Sequence, residues 1–271
     1  MTKTKTTDVH ISLAEARDRG LLQLVEKKTP YYNYRFWVRS DDEVKFNVRQ
    51  NITDSPSGGE YFTPLFRSEW HPEGRVFDIN ELDKEDVWLD AGGHIGIFAT
   101  RLLTQFKRIK KVIQYEPFAH NCEFAVLNPQ ENGVGDRNEV IQKALVPNNQ
   151  ESIDFYLAWD SGKHSVLPIR GREVTKVQCQ NFNEALKGVT AIKMDVEGAE
   201  YDLIKSVEDW SNIRVALIEY HFHYRNLSDG REAKFNEIID IFRANFDDVW
   251  VYPGVEGTKT WITHFAAVKR G

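Results

Sequence analysis

The chain has 271 residues, of which 41% are hydrophobic and 28% charged, and a formal net charge of −6 at pH 7. That is the composition of a globular protein with one sizeable core, or one core and an appendage, and its acidic balance argues against unspecific binding of nucleic acid through a basic face. Its two cysteines, Cys122 and Cys179, lie far apart and in no C-x-x-C pair, which excludes a zinc ribbon or a disulfide framework.

The polar start, residues 1–7, lacks the apolar stretch of a signal peptide, and no run is long enough to span a membrane. A reduced, cytoplasmic protein is the simplest expectation. Ser12 followed by Glu15 is a capping-box pattern and predicts a helix over 12–25, with Gly20 as an interruption. Tyr32, Tyr34, Phe36 and Val38 alternate with polar or amphipathic neighbours, as do Val44, Phe46 and Val48, so the pair predicts a β-hairpin around Ser40–Glu43. Residues 54–59 read as a loop and 61–70 as a short helix stopped by His71-Pro72-Glu73-Gly74. Residues 1–85 thus form an N-terminal appendage of helix and hairpin that could act as a substrate lid, and 86–271 an α/β domain.

From Asp86 onward strands and helices alternate, the pattern of a parallel sheet. Strands are predicted at 87–90, 111–115, 139–143, 153–157, 174–178, 191–194, 215–219, 249–252 and 261–268. Helices are predicted at 97–106, 119–127, 182–186, 199–206 and 233–245.

The first βα unit is the informative one. An apolar run, Val87-Trp88-Leu89, ends on Asp90; glycines follow at 92, 93 and 96, and a helix begins at Ile97. Glycine at 92 and 96 would let the backbone approach a ligand that a Cβ would block. A dinucleotide fingerprint, G-x-G-x-x-G, would need a glycine at Ala91, and Asp90 would oppose a pyrophosphate. S-adenosylmethionine instead carries a sulfonium and an ammonium, which an anionic wall favours. A glycine-rich turn that binds nothing is the third reading.

Further carboxylates end other strands. Glu116, 20 residues after Gly96, closes the second strand before Pro117 and Phe118, where an acid can accept ribose hydroxyls and an aromatic ring can flank an adenine. Asp195 ends the strand that begins at Ala191, with Glu197 and Glu200 at the following helix start, a position that favours anions. Asp90, Glu116 and Asp195 on one rim are costly unless a cation sits among them. Beyond 215–219, Glu219, His221 and His223 share one face if the strand continues, a spacing suited to a metal or to orienting a hydroxyl. A structural role is the default for His223.

Taken together and in order, Asp90-Ala-Gly-Gly-His-Ile-Gly96, Tyr115-Glu-Pro117, Ile192-Lys-Met-Asp-Val-Glu-Gly-Ala-Glu200 and Leu217-Ile-Glu-Tyr-His221 resemble the FkbM family of S-adenosylmethionine-dependent methyltransferases. The resemblance covers about residues 86–221. It implies a Rossmann-like, seven-stranded class I methyltransferase sheet whose last strand, 261–268, is reversed, and O-methylation of a hydroxyl. It places Asp90, Gly92 and Gly96 at the methionine end of the donor, Glu116 at its ribose, and Asp195 and Glu219 at the reacting centre; Gly93, His94, Pro117, Phe118 and Asp195 are further candidates for contact with the donor, Phe118 being equally readable as a core residue. His94 departs from the pattern, since such turns more often carry Asn.

The mechanism expected is in-line methyl transfer with Asp195 or His221 as base and Glu219 orienting it. A divalent metal held by Asp195, Glu219 and His221 is the second route. The expected acceptor is a hydroxyl on a sugar, glycan or small molecule; Tyr31, Trp37, Tyr61, Trp70 and Trp159 beside the loop 160–165 could face it, although packing of the hairpin onto the α/β core is the default role for most of them. The cluster Lys163, Arg170, Arg172 and Lys176 keeps an RNA ribose methyltransferase as an alternative, and an idle methyltransferase-like scaffold is another. No membrane partner is expected, and oligomeric state is not legible.

Overall fold

A computed structural model describes residues 82–158, 163–168, 170–222, 231–252 and 262–270, together with three strands nearer the N-terminus. Those strands, β1 (Leu22–Gln23), β2 (Tyr34–Val38) and β3 (Lys45–Arg49), form one antiparallel sheet in that order. The hairpin read from alternation is present, with Tyr34 opposite Arg49 and Val38 opposite Lys45. The predicted helix over 12–25 is corrected at Leu22–Gln23, which are extended and lie opposite Trp37 and Phe36. Gly20 costs a helix about 1 kcal/mol, and the hairpin offers a free edge that an apolar run can join. The predicted loop at 54–59 and helix at 61–70 fall outside the described residues.

The main sheet contains β4 (Val87–Ala91), β5 (Lys111–Tyr115), β6 (Asn138–Ile141), β10 (Ala191–Met194), β11 (Val215–His221), β12 (Asp248–Tyr252) and β13 (Ile262–Val268). Their order is β12-β13-β11-β10-β4-β5-β6. The pairs from β11 across to β6 are parallel, while β13 is antiparallel to both its neighbours. This is the seven-stranded, Rossmann-like class I sheet with a reversed last strand, as expected.

Buried on both faces, its central strands are mostly apolar, Asp90, Gln114 and Lys193 being the polar exceptions, and their period of two sorts side chains between two cores. Ile192, Met194, Ala216 and Ile218 face one core with Leu203, Ile238 and Phe242. Ala191, Val215 and Leu217 face the other, which Phe98, Ala99, Leu102 and Leu103 of α1 (Ile97–Gln105) fill. The other helices are α2 (Ala119–Glu131), α3 (Phe182–Ala185), α4 (Glu200–Ser206) and α5 (Arg231–Asn245). Among the described residues no helix is long and apolar enough to cross a membrane.

At the N-terminal edge of the sheet, buried Asp86 accepts from Thr190 Oγ1 at 2.8 Å and pairs with the Arg214 guanidinium, while Thr190 Oγ1 accepts from Val87 N at 3.0 Å. This clamp ties together β4, the residue preceding β10 and the residue preceding β11.

The predicted strands at 153–157 and 174–178 do form, but in a second sheet. That sheet has the order β7-β9-β8, where β7 is Ala144–Val146, β8 Ser152–Leu157 and β9 Glu173–Asn181, and β8 is antiparallel to β9. A parallel neighbour in the main sheet needs a crossover, usually a helix, and none lies between β8 and β9 in the described residues. The strand predicted at 139–143 ends earlier, since β6 is Asn138–Ile141 and the chain then enters β7 of the second sheet at Ala144.

Candidate active site

The glycine turn joins β4 to α1 beside the ends of β5 and β10. Gly92 and Gly93 donate to Tyr115 O at 3.0 and 3.1 Å. Gly92 has φ +83°, and a Cβ there would lie 1.8 Å from Asp195 O; Gly96 has φ +77°, and a Cβ there would lie 2.7 Å from Ala125 Cα. The partners these glycines admit are therefore the protein's own β10 turn and α2. Close packing within the chain is thus a reason for glycine at both positions beside the ligand approach read from the sequence. Gly93 lies against Gln114.

His94 has φ +46°, the left-handed region in which Asn, Asp and His are enriched among non-glycine residues. Its departure from the usual Asn thus has a backbone reason, because both types tolerate the conformation this turn demands. His94 N donates to Glu116 Oε2 at 2.9 Å.

Glu116 ends β5 as expected and folds back onto the turn. Its Oε1 accepts from Phe118 N at 2.8 Å, and Asn121 adds a side-chain hydrogen bond. Burial nevertheless outweighs these bonds and raises its pKa to about 7. Pro117 is half-buried, and half-buried Phe118 packs edge-on to His164 at 4.7 Å between centroids.

Asp90 has no exposed surface. Lys193 Nζ lies 3.2 Å from Asp90 Oδ1 and 3.7 Å from Asp195 Oδ2, and donates to Gly92 O at 3.0 Å. The cation the rim requires is therefore supplied partly by the chain itself. Burial would lower the Lys193 pKa, but Asp90 and Asp195 beside it win and hold it above the ordinary value. Burial in turn raises Asp90 more than Lys193 lowers it. Of the two carboxylates Asp195 is the open one, with 31% of its side chain exposed.

Around Asp195 stands a second group. His221 Nδ1 is 3.0 Å from Glu200 Oε1, and its Nε2 lies 3.6 Å from Glu197 Oε2 and 3.5 Å from Glu219 Oε1. Glu200 is wholly buried and also accepts from Val196 N at 3.2 Å and Gly198 N at 3.0 Å. Glu219 Oε2 is 2.9 Å from His264 Nε2, which sits directly opposite it on β13. Glu197 has φ +54°, and its carbonyl accepts from buried Ser165 Oγ at 2.8 Å. The segment after the loop 160–165 is thereby anchored over this turn, although Trp159 and 160–162 lie outside the described residues.

The charges of this group are interdependent. Burial, then Glu219, raises Asp195 to about 6, and burial raises Glu197 to about 8. Burial opposes charge on His221, but Glu200 and then Glu197 and Asp195 overcome it and raise its pKa well above 6.5. Burial pushes Glu219 up, yet the His264 hydrogen bond, with His264, His221 and Lys193, holds it below the ordinary value.

Asp195, Glu197 and His221 each present a ligand atom within 4.8 Å of the other two. Glu197 takes the place that sequence spacing assigned to Glu219 in a metal-ligating set. His223, Tyr31, Tyr61 and Trp70 lie outside the described residues, and Trp37 is placed by its backbone on β2.

The Methyltransferase FkbM domain matches residues 90–247, more than half of the 271. The chain belongs to the FkbM methyltransferase family. Among solved structures, this FkbM protein is similar to an FkbM methyltransferase from Methylobacillus flagellatus KT, at 17% identity and a TM-score of 0.44 over 68% of this chain. It spans 44% of that protein's length. It is also similar to M. jannaschii TYW2 in complex with AdoMet, at 10% identity and a TM-score of 0.45, over 90% of this chain and 89% of that one. A third similar structure is the Methanococcus jannaschii fibrillarin pre-rRNA processing protein, at 12% identity and a TM-score of 0.43, over 92% and 99%. Among curated proteins none matches.

Sequence reasoning missed three parts of this FkbM site. Lys193 had a signal, because a lysine inside the buried strand Ala191–Met194 needs an acid beside it. Glu200 reads in the sequence as a favourable charge at a helix start, whereas in the fold it also holds the His221 imidazole. His264 gave no local signal, since only the pairing of β13 with β11 sets it against Glu219.

Proposed function

We propose that the protein transfers the methyl group of S-adenosylmethionine to a hydroxyl oxygen of a sugar, glycan or small molecule. The observation that carries this reading is the row of carboxylates at the C-terminal edge of the sheet. Glu116 stands beside the glycine turn, and Asp195 stands across the turn with a pKa of about 6. In open α/β sheets ligands bind at that edge. Glu116 would hold the ribose and Phe118 would border the adenine. The sulfonium would face the surplus negative charge around Asp195.

The hydroxyl oxygen attacks the methyl carbon in line with the C–S bond. That bond breaks, its electron pair stays on sulfur to leave a neutral thioether, and the hydroxyl proton passes to Asp195. His221, held as an imidazolium by Glu200, is unsuited to accept it, so the base falls to Asp195 with Glu219 fixing the local charge. Most of the acceleration comes from alignment, with the base adding about 10²–10⁴-fold.

The test is incubation with isotopically labelled donor and a panel of hydroxylated acceptors, followed by mass analysis of the methylated product. Asp195→Asn is expected to lose about 10²–10⁴-fold in rate while calorimetry still detects donor binding. The wild-type rate should rise with pH through about 6 as Asp195 deprotonates. A methyl found on nitrogen or carbon, or an Asp195→Asn variant with the full rate, refutes the reading.

A further inference from the structure

We propose that Asp195, Glu197 and His221 bind one divalent metal ion, and that this ion holds the acceptor hydroxyl for methyl transfer. The inference rests on the methyl-transfer reading and adds a metal cofactor to it. The three ligand atoms all lie within 4.8 Å of one another, and His221 Nε2 is 3.6 Å from Glu197 Oε2, close to the separation of two ligands that each stand about 2.0–2.2 Å from one ion.

An independent observation comes from the far side of the imidazole. His221 Nδ1 is engaged by Glu200 Oε1 at 3.0 Å, and Glu200 is wholly buried and held by the Val196 and Gly198 amides. A carboxylate behind a histidine is the arrangement that fixes the tautomer and orientation of a metal-ligating imidazole. It directs Nε2 toward Glu197 and Glu219, where that nitrogen is buried and forms no hydrogen bond among the described residues. His221 has 11% of its side chain exposed, Glu197 25% and Asp195 31%, so solvent reaches the two carboxylates although Nε2 itself is buried.

Imidazole with two carboxylates suits Mn²⁺, Fe²⁺ or Zn²⁺ better than a purely oxygen-seeking ion. Three protein ligands leave coordination positions open for the acceptor oxygen. On binding, the Nε2 proton leaves to solvent and each carboxylate gives one oxygen to the ion. Asp195 keeps its second oxygen for the proton of the metal-bound hydroxyl, whose pKa the ion lowers.

The test uses the full chain after chelation and dialysis, titrated with Mn²⁺ while the electron paramagnetic resonance signal of the free ion is followed. Saturable uptake of one Mn²⁺ per chain is expected. Glu197→Gln should weaken it at least about tenfold, and Glu200→Gln about 10–100-fold, as for other residues that orient a ligating histidine. Glu197 lies on the rim, so its variant remains informative if Glu200→Gln does not fold. Absence of uptake, or uptake that Glu197→Gln leaves unchanged, overturns the proposal. Calorimetry with S-adenosylmethionine on the same samples separates the two readings. Donor binding without Mn²⁺ binding sinks the metal alone, whereas binding of neither sinks the metal and the donor site together.

Discussion

The two edges of the main sheet handle charge in opposite ways. At the N-terminal edge one acid, Asp86, meets one guanidinium, Arg214, and one hydroxyl, Thr190. At the C-terminal edge one ammonium, Lys193, serves both Asp90 and Asp195, and one imidazole, His221, faces Glu197, Glu200 and Glu219. The first cluster balances its charges, which is what a clamp requires. The second holds an excess of negative charge, and it raises Asp195 to about 6 and Glu197 to about 8. A protein keeps such an imbalance where a cationic ligand or a proton transfer uses it.

The largest effect should come from forcing apart the two turns that build the C-terminal edge. Gly92→Ala would place a Cβ 1.8 Å from Asp195 O. We expect a loss of at least about 4 kcal/mol, read as a collapse in soluble yield and in the urea midpoint. Next is the balanced edge. Arg214→Met strands the buried Asp86 carboxylate and should cost about 3–5 kcal/mol in urea denaturation, while the fraction that folds keeps its methyl-transfer rate. A variant with normal stability but lost activity would reverse the contrast between the edges.

Smaller effects test the imbalance itself. Glu116 has a folded pKa of about 7 against an ordinary 4.5. The folded state therefore holds its proton more tightly than the unfolded chain, and stability falls as pH rises from about 4.5 through about 7. The loss should be about 3 kcal/mol, visible as a falling melting temperature in the absence of donor. Glu116→Gln should flatten that slope, and an unchanged slope would place its cause elsewhere. Asp195, also raised, costs the fold stability above about pH 6. Asp195→Asn should then melt slightly higher at pH 8, by about 1 kcal/mol after allowance for solvent screening, even as it loses activity. A lower melting point would show that its contact with Lys193 outweighs the crowding of like charges.

Much of this architecture was legible along the chain. Apolar runs closing on Asp90, Glu116 and Asp195 mark strand ends, because local periodicity and turn chemistry act over a few residues. The resemblance to the FkbM family, carried by the motifs from Asp90 to His221, implied the seven-stranded sheet and its reversed last strand. The alternation in 34–38 and 45–49 announced the hairpin for the same reason. Only the tertiary structure decided which charges meet. Lys193 reaches Gly92 O across 101 residues of sequence, and His264 reaches Glu219 across 45. It also decided that Asp90 is sealed while Asp195 is partly exposed, and that 153–157 and 174–178 pair in a second sheet with β7. Those outcomes follow from strand register and from the burial of one side chain beneath another. Both are properties of neighbours in space, which a one-dimensional pattern does not carry.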